Sequence, residues 1–510
     1  MVGNSRTKKA IRNILTGLGN KIFLLFLTLI SRKFFIEYIG VEYLGINGLF
    51  SNILMLLSMA DLGFGVAMSY SFYKPLEEND TRKISALITL YRKIYNIIAV
   101  AVAILGLLMI PFLKYIVNLE NNIEHLTLYY VVFLANTVFS YLMSYKQTIL
   151  TADQKSYIVN NIKSVVNLLM VIAQILVVVI FHNYLLYIIL QVVATIFNNL
   201  VLSYVASKKY PYIKEKKQLE KKESLDIFNN MWSVFLYKFA STIMTSTDNI
   251  IISALLGTAI VGLYSNYLTI TNNISQFIII IFSSITASIG NLMVSSTAKS
   301  QFKVFKMLQM SSFVMSGIIT VCLLTLFQDF IVVWIGTEYL LDDFTVYAIA
   351  FNTFFSVSMQ PVWSYREASG LYCKTKYVMI CTAIVNLILS ILMGYMVGLW
   401  GIIVATTLSR VLTYFWYEPK LLYKIYFKEK VRVYYIDYAI EVIMIICSTI
   451  ICQKLFAGMV VENFVQWVVK AIGCVGITGG VFLIRYIKTE EFNYFLNKIL
   501  TLSKKEARNG

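Results

Sequence analysis

Residues 32–74 read RKFFIEYIGVEYLGINGLFSNILMLLSMADLGFGVAMSYSFYK and decide the fold. Apolar runs lie on both sides of the glycines Gly40 and Gly45, and the second run ends near Lys74-Pro75. Each run is about 20 residues long, which is enough to cross the hydrocarbon core of a bilayer. The stretch therefore predicts the end of one membrane helix, a tight turn and a second membrane helix that carries Asp61 within the membrane.

The composition extends this pattern to the whole chain. Hydrophobic residues make up 58% of the 510 residues and charged residues only 14%, whereas soluble proteins are about half apolar and about a quarter charged. The apolar runs are continuous and do not alternate with polar residues, which indicates helices rather than a barrel. We predict an all-α polytopic membrane protein with about fourteen transmembrane helices.

The charges of the loops predict the topology. Loops rich in Lys and Arg alternate along the chain with short neutral or acidic loops, such as the one that holds Glu37 and Glu42. The positive-inside rule assigns the basic loops to the cytoplasm, and an even number of spans then leaves both termini there. This distribution accounts for the net charge of +17, so we expect no nucleic-acid partner.

The chain also contains an internal repeat. Lys21 and Lys238 are 217 positions apart, and two pairs of glycines share this spacing: Gly40 with Gly257, and Gly45 with Gly262. A further match at about 219–220 positions relates residues 153–157 to residues 373–377. Parallel repeats of this kind predict two pseudo-symmetric lobes of six helices with the same orientation.

The predicted domains follow from the repeat and from one basic linker. They are a first lobe, a cytoplasmic linker, a second lobe, and a C-terminal part with two more helices and a cytoplasmic tail: residues 1–206, 207–226, 227–432 and 433–510.

A few ionisable residues fall inside the predicted spans. Each costs several kcal/mol, roughly 2.5–3.5 by insertion measurements, unless it faces a cavity or a partner. The cations are Lys21, Arg32, Lys238 and Arg410. We predict that they line the space between the lobes and bind an anionic substrate such as a phosphate or an acidic sugar. Alternatively, Lys21 and Arg32 snorkel to the interfaces and Arg410 begins a basic inner flank.

The acids and glycines suggest two further roles. Asp61 and Asp248 either pair with the cations or bind H⁺ or Na⁺ and couple transport to an ion gradient, since a buried carboxylate can carry a proton. The turns at Gly40–Gly45 and Gly257–Gly262 are predicted to form an outer gate. Asparagines at membrane depth, such as Asn167, Asn198 and Asn199, either bind sugar hydroxyls or hold helices together.

Signatures of enzymes and metal sites are missing from the sequence. There is no P-loop motif and no catalytic constellation on a large loop, so we predict that the chain is not an enzyme. The cysteines and histidines lack the spacing of metal ligands. We expect no metal and no cofactor other than a coupling ion.

Short motifs are spread over nearly the whole chain. They are IGVEYLGINGLFSN at 39–52, MADLGFG at 59–65, YKPLE at 73–77, TDNIIIS at 247–253, VGLYSNY at 261–267, SR at 409–410 and EP at 418–419. Together they resemble the bacterial Wzx-type polysaccharide and O-antigen repeat-unit flippases of the multidrug/oligosaccharidyl-lipid/polysaccharide (MOP) exporter superfamily.

The resemblance implies a fold and a function. The fold would be two six-helix lobes forming a V, with two peripheral helices. The function would be the transfer of an undecaprenyl-diphosphate-linked oligosaccharide from the inner to the outer leaflet of the bacterial cell membrane, for capsule, exopolysaccharide or O-antigen assembly. The partners would be this lipid-linked oligosaccharide, membrane lipids and a polysaccharide polymerase or assembly protein. Lys21, Arg32 and Lys238 match the cavity cations of related flippases in type and approximate depth.

Two other functions are open at this stage. A multidrug/cation antiporter of the same superfamily would favour an acid-rich cavity, whereas cations predominate here. A membrane glycan polymerase or ligase would need a large outer loop with catalytic residues, and the outer loops of this sequence are short.

Overall fold

The computed structural model describes residues 19, 25–58, 71–72, 75–118, 123–142, 144–153, 155–215, 217–219 and 221–497. These residues are predominantly helical, and no β-strand occurs among them. The predicted all-α class is confirmed. The chain divides into two compact units, residues 1–273 with 379–387 and residues 274–378 with 388–510. The predicted lobe boundaries stay a prediction.

Helices α1 to α9 lie entirely in the first unit, which also contains the start of α10 and residues 379–387. They are α1 (25–38), α2 (Val41–Leu57), α3 (Thr81–Met109), α4 (Leu113–Ile116), α5 (Leu126–Tyr141), α6 (Tyr145–Ala152), α7 (Ser156–Phe181), α8 (Tyr184–Lys209) and α9 (Lys221–Leu256).

The next helix, α10 (Thr258–Ser295), begins in the first unit and ends in the second. The helices that follow are α11 (Ala298–Trp334), α12 (Asp343–Ser358), α13 (Gln360–Ala368), α14 (Tyr372–Val397), α15 (Leu399–Leu412), α16 (Tyr414–Leu422), α17 (Arg432–Leu455) and α18 (Phe464–Tyr486).

Many of these helices are long enough to cross a membrane. Within the described residues, ten spans meet the length and hydropathy that crossing requires, and an eleventh is added if α5 and α6 form one span bent by 49°. The polytopic membrane fold is thereby confirmed. The total of fourteen spans stays a prediction. The first two predicted spans run into residues outside the described part, and the region 343–368 is divided between the shorter helices α12 and α13.

Polar side chains fix where several helices begin. Asp80 accepts a hydrogen bond from the Lys83 amide at the start of α3, and Asn183 accepts one from the Leu186 amide at the start of α8. Asp342 caps α12 in the same way. These residues satisfy amides that have no partner within the helix, so the short loops between helices are set by local chemistry.

The helix boundaries repeat along the chain. The starts of α2 and α10 have the spacing that relates Gly40 to Gly257, and so do the starts of α3 and α11. α5 and α12 match at both ends with the same spacing, whereas α7 and α14 match at both ends with a spacing shorter by one. The boundaries of these four helix pairs therefore confirm the pseudo-symmetric internal repeat. The predicted match of residues 153–157 with 373–377 is out of register, because the helix that follows repeats at the shorter spacing.

Aromatic side chains pack the first unit around α2. Phe50 is fully buried, and its ring contacts the rings of Tyr130 and Phe133 on α5 edge-on, with centroids 5.2 and 5.8 Å apart. Edge-on pairs of this kind add stability beyond the buried area. They fix α2 against α5 and so hold the turn that precedes α2 in place.

Candidate functional site

The predicted site residues are distributed over both units. Lys21 and Asp61 lie outside the described residues, and their roles stay predictions. Arg32, Lys238 and Asp248 belong to the first unit, whereas Arg410 belongs to the second.

Arg32 is bonded to one face of α10. Its Nε donates to Asn266 Oδ1 at 2.6 Å, and its two terminal nitrogens donate to the hydroxyls of Ser265 and Thr269. No carboxylate of the described part pairs with it. The planar guanidinium presents its donors as a fixed fork, so a single side chain fastens α1 to α10. A role in binding substrate stays a prediction.

We expect Arg32→Lys to lower glycan export as strongly as Arg32→Ala, by about tenfold or more. Lysine keeps the charge but cannot reach three partners with one planar group, and each hydrogen bond to a charged group contributes about 1.5–3 kcal/mol. Export of the surface glycan is the measurement, normalised to the amount of protein in the membrane. Normal export by the Lys variant would mean that only the charge matters.

Two glycine turns with the same backbone conformation join neighbouring helices. Gly40 connects α1 to α2 with φ +106°, and Gly257 connects α9 to α10 with φ +105°. L-amino acids rarely adopt such angles, whereas glycine does so without a steric penalty. Gly40 and Gly257, which the internal repeat of the sequence relates, thus form two copies of one turn.

The predicted turns are shorter than Gly40–Gly45 and Gly257–Gly262, because Gly45 and Gly262 already lie in the first turns of α2 and α10. These two helix starts contact each other reciprocally. A methyl group added at Gly45 would overlap the backbone carbonyl of Thr258, and one added at Gly262 would overlap the carbonyl of Val41. Thr258 and Val41 are themselves equivalent positions of the repeat, so the contact has the form of a two-fold: each copy places its glycine against the first residue of the other copy's helix. In a contact of this kind the same surface serves both sides.

Further hydrogen bonds hold the second turn against the segment after α4. Ser253 Oγ donates to the carbonyl of Ile116 at 2.8 Å, and the Thr258 amide donates to the carbonyl of Asn118 at 2.7 Å. These helix ends are the ones that the charge pattern assigns to the outer side. The outer gate stays a prediction. The contact between the starts of α2 and α10 is the part of the structure that would close it.

Lys238 and Asp248 lie on α9. They are ten positions apart, so their side chains leave the helix about 80° from each other; both are half-buried. Within the described part of the chain, Lys238 makes no ion pair or hydrogen bond. It is a cation whose charge is available to a ligand.

Arg410 is buried in the second unit rather than exposed on a basic flank. Only 6% of it is accessible. Its Nη1 donates to Asn352 Oδ1 at 2.8 Å and to Ser356 Oγ at 3.1 Å, and the guanidinium stands 5.9 Å from the ring centroid of Phe355. Amide, hydroxyl and aromatic groups on α12 therefore hold this cation in place.

The sequence interpretation missed a buried ion pair in the same unit. Arg366 on α13 donates from Nη1 to both carboxylate oxygens of Glu418 on α16, at 2.8 and 3.0 Å. Their side chains are 9% and 2% exposed. The signal in the sequence was an isolated Glu at the inner end of a span, next to a proline.

Glu441 is a second acid that the interpretation missed. It lies two to three turns into α17 and is 1% exposed. Neither carboxylate oxygen has a hydrogen-bonding partner among the described residues. An ionisable residue in such a position is costly, which makes Glu441 a candidate functional residue.

The first unit contains a polar cavity, here called the first-unit cavity. It is lined by parts of α3 and α5 to α8 and has a volume of about 530 Å³. Its walls include the amides of Asn136, Gln147, Asn167, Gln191 and Asn198, together with Lys163.

The asparagines at membrane depth differ in their hydrogen bonds, because some hold helices together and others do not. Asn199 donates to the carbonyls of Phe139 and Leu142, at 2.8 and 3.0 Å, and so fastens α8 to the end of α5. Asn167 and Asn198 make no such bonds within the described residues. Asn199 therefore holds helices together, whereas the binding of sugar hydroxyls by Asn167 and Asn198 stays a prediction.

A comparison with protein families matches residues 8–289, more than half of the chain, to the family described as polysaccharide biosynthesis protein. The chain belongs to this family. The matched range includes α1 to α9, most of α10 and both glycine turns, and it therefore contains the reciprocal contact. A comparison with curated protein sequences found no match.

Several solved structures with the same fold align with most of this chain. The lipid II flippase MurJ in an inward closed conformation is 16% identical, with 93% of this chain and 100% of that chain covered and a TM-score of 0.66. An inward-facing multidrug resistance MATE family transporter of the MOP superfamily is 13% identical, with 79% and 97% covered and a TM-score of 0.61. A MOP superfamily transporter from Pyrococcus furiosus is 13% identical, with 83% and 97% covered and a TM-score of 0.55. At these identities the likeness shows that this chain and these proteins share a fold.

Proposed function

We propose that the chain is a flippase that moves an undecaprenyl-diphosphate-linked oligosaccharide from the inner to the outer leaflet of the bacterial cell membrane. The observation that carries the proposal is membership of the polysaccharide biosynthesis family in a chain with the MOP transporter fold. MurJ, which shares the fold, is described as a lipid II flippase. The polysaccharide made from the cargo would be a capsule, an exopolysaccharide or an O-antigen.

The reciprocal contact of the glycine turns supports alternating access. At the two helix starts each glycine lies against backbone of the other copy, so the contact closes without interdigitated side chains. In this mechanism the turns close the outer side while the polar head group enters from the inner side. The lipid tail stays in the bilayer throughout.

The charges favour an anionic cargo over a cationic drug. Arg32 and Arg410 bond to amides and hydroxyls, not to carboxylates, and Lys238 has no ion pair within the described part. Cations that no acid neutralises keep their attraction for diphosphate and acidic sugars. A multidrug/cation antiporter would be better served by unpaired acids near these cations, whereas the unpaired Glu441 lies on α17, outside the repeated helices.

The loops argue against a glycan polymerase or ligase. Of the described connections that the charge pattern assigns to the outer side, those at residues 39–40, 182–183 and 257 contain one or two residues, and those at 335–342 and 456–463 contain eight each. A catalytic pocket needs several convergent groups held above the membrane. These described connections are too short to supply them.

The test is the location of the lipid-linked repeat unit in cells that lack the gene. We expect a complete repeat unit that accumulates on the inner leaflet, where an impermeant glycan-modifying reagent cannot reach it in intact cells. Wild-type protein supplied in trans should restore its exposure. Inner-leaflet accumulation follows because a polar oligosaccharide cannot cross the hydrocarbon core unaided.

Two outcomes would contradict the proposal. Unpolymerised repeat units exposed on the outer leaflet would indicate a polymerase or ligase. A normal surface glycan together with greater drug sensitivity would indicate an antiporter. Repeating the assay after collapse of either the proton or the sodium gradient tests the proposed coupling through Asp61 or Asp248.

A further inference from the structure

The first-unit cavity presents polar groups that the fold leaves without partners. Gln147 Oε1 and Asn198 Oδ1 are buried and accept no hydrogen bond in the described part of the chain. Lys163 and Asn167 are exposed, line the same cavity and make no hydrogen bond or ion pair among the described residues. Buried polar groups in folded proteins are nearly always satisfied, so two orphaned acceptors beside two free polar side chains indicate a polar occupant.

The position of these groups within a membrane-spanning bundle strengthens this inference. Lys163 and Asn167 are about two and three turns into α7, and Asn198 lies in the inner half of α8. Polar side chains at such depths face a water-filled cavity or a partner, because hydrocarbon offers them no hydrogen bonds. The groups lie toward the helix ends that the positive-inside rule assigns to the cytoplasm.

The walls combine the chemistry that recognises a sugar. Amide side chains can donate to and accept from hydroxyl groups. Tyr95 and Tyr141, whose ring centroids are 6.1 Å apart, line one side of the cavity and add aromatic groups to its wall. Lys163 is the cation of the lining, and no carboxylate is among the lining residues that the structure describes.

We propose that the first-unit cavity binds the saccharide part of the cargo and that Lys163 contacts an acidic group on the sugar. This inference rests on the proposed flippase function and adds a site within one bundle to the cations predicted between the lobes. The volume of about 530 Å³ is within the range of about 300–1,000 Å³ typical of sites for small ligands. The cavity thus has room for part of an oligosaccharide, and the remainder would extend from it.

Photo-cross-linking in cells tests where the sugar binds. We place p-benzoylphenylalanine at Met170, an apolar residue of the cavity wall, and in a matched variant at Leu169, which is 58% exposed and is not part of the wall. Cells fed a radiolabelled hexose are irradiated, and the purified full-length protein is treated with mild acid, which cleaves the sugar–phosphate bond and removes the lipid. We expect acid-stable label on the Met170 variant and at least fivefold less on the Leu169 variant.

The other outcomes overturn the inference in distinguishable ways. Label that mild acid removes would place lipid or diphosphate, not sugar, at the cavity. Equal label at both positions, or none at either, would reject the saccharide site. The proposed function would still stand if the same cells expose the repeat unit on the outer leaflet. Absence of label together with a failed leaflet assay would reject the function itself.

Substitution of Lys163 tests its charge. We expect Lys163→Gln to lower export at least tenfold when the repeat unit contains an acidic sugar, and Lys163→Arg to restore more than half of it. Lys208→Gln is the matched control, because Lys208 is exposed at the end of α8 and does not line the cavity. Normal export by Lys163→Gln at equal membrane abundance would reject the role of Lys163.

Discussion

Replacing Gly45 or Gly262 by alanine is expected to reduce glycan export by about tenfold or more, with similar effects at the two positions. Each added methyl group would overlap a backbone carbonyl of the other turn. Backbone atoms cannot rotate away as a flexible side chain can, and overpacking of this kind costs about 1–3 kcal/mol. A cost of about 1.4 kcal/mol already shifts an equilibrium tenfold, so the closed state of these turns would be depopulated.

The double variant tests whether the two contacts belong to one interface. Once one methyl group has separated the turns, the second meets less resistance, so the effects of the two substitutions should not add. Export and membrane abundance are measured for both single variants and the double variant. Gly476→Ala is the control, because a methyl group there would meet no atom within 4 Å. Fully additive losses would contradict a shared interface.

Replacing Glu418 by alanine is expected to lower the free energy of unfolding by about 3–5 kcal/mol, since it leaves the buried Arg366 guanidinium without its carboxylate. The pair is almost completely shielded from solvent, so water cannot replace the lost partner. We expect most of the variant protein to be degraded or to unfold at a lower temperature. The measurement is the thermal unfolding midpoint of purified protein in detergent.

The combination of Arg366→Met with Glu418→Leu separates loss of pairing from loss of packing. Apolar replacement of a whole buried pair is often neutral or stabilising, so the double variant should recover much of the stability that Glu418→Ala loses. Glu462→Ala, in an exposed loop, is the control. An unchanged unfolding midpoint for Glu418→Ala would contradict the importance of the pair.

Several features of the fold could be predicted from local sequence. Apolar runs of the right length predict membrane helices, and the glycines at 40 and 257 predict turns, because only a short stretch of chain is needed to specify either. The spacing between these two glycines recurs in the helix boundaries. The match near residue 153 failed because a few similar residues in a loop do not fix the register of the helix that follows.

The sequence by itself thus determined the class of protein, the internal repeat and the residue types that carry charge into the membrane. Only the tertiary structure decided what those charges contact. Arg32 binds Ser265, which is remote in the sequence and lies on another helix, and Arg366 on α13 pairs with Glu418 on α16. Helical periodicity states which face a residue occupies but not which helix lies against that face. The first-unit cavity likewise exists only where five helices pack together, so its unpaired amides could not be told from those that hold helices.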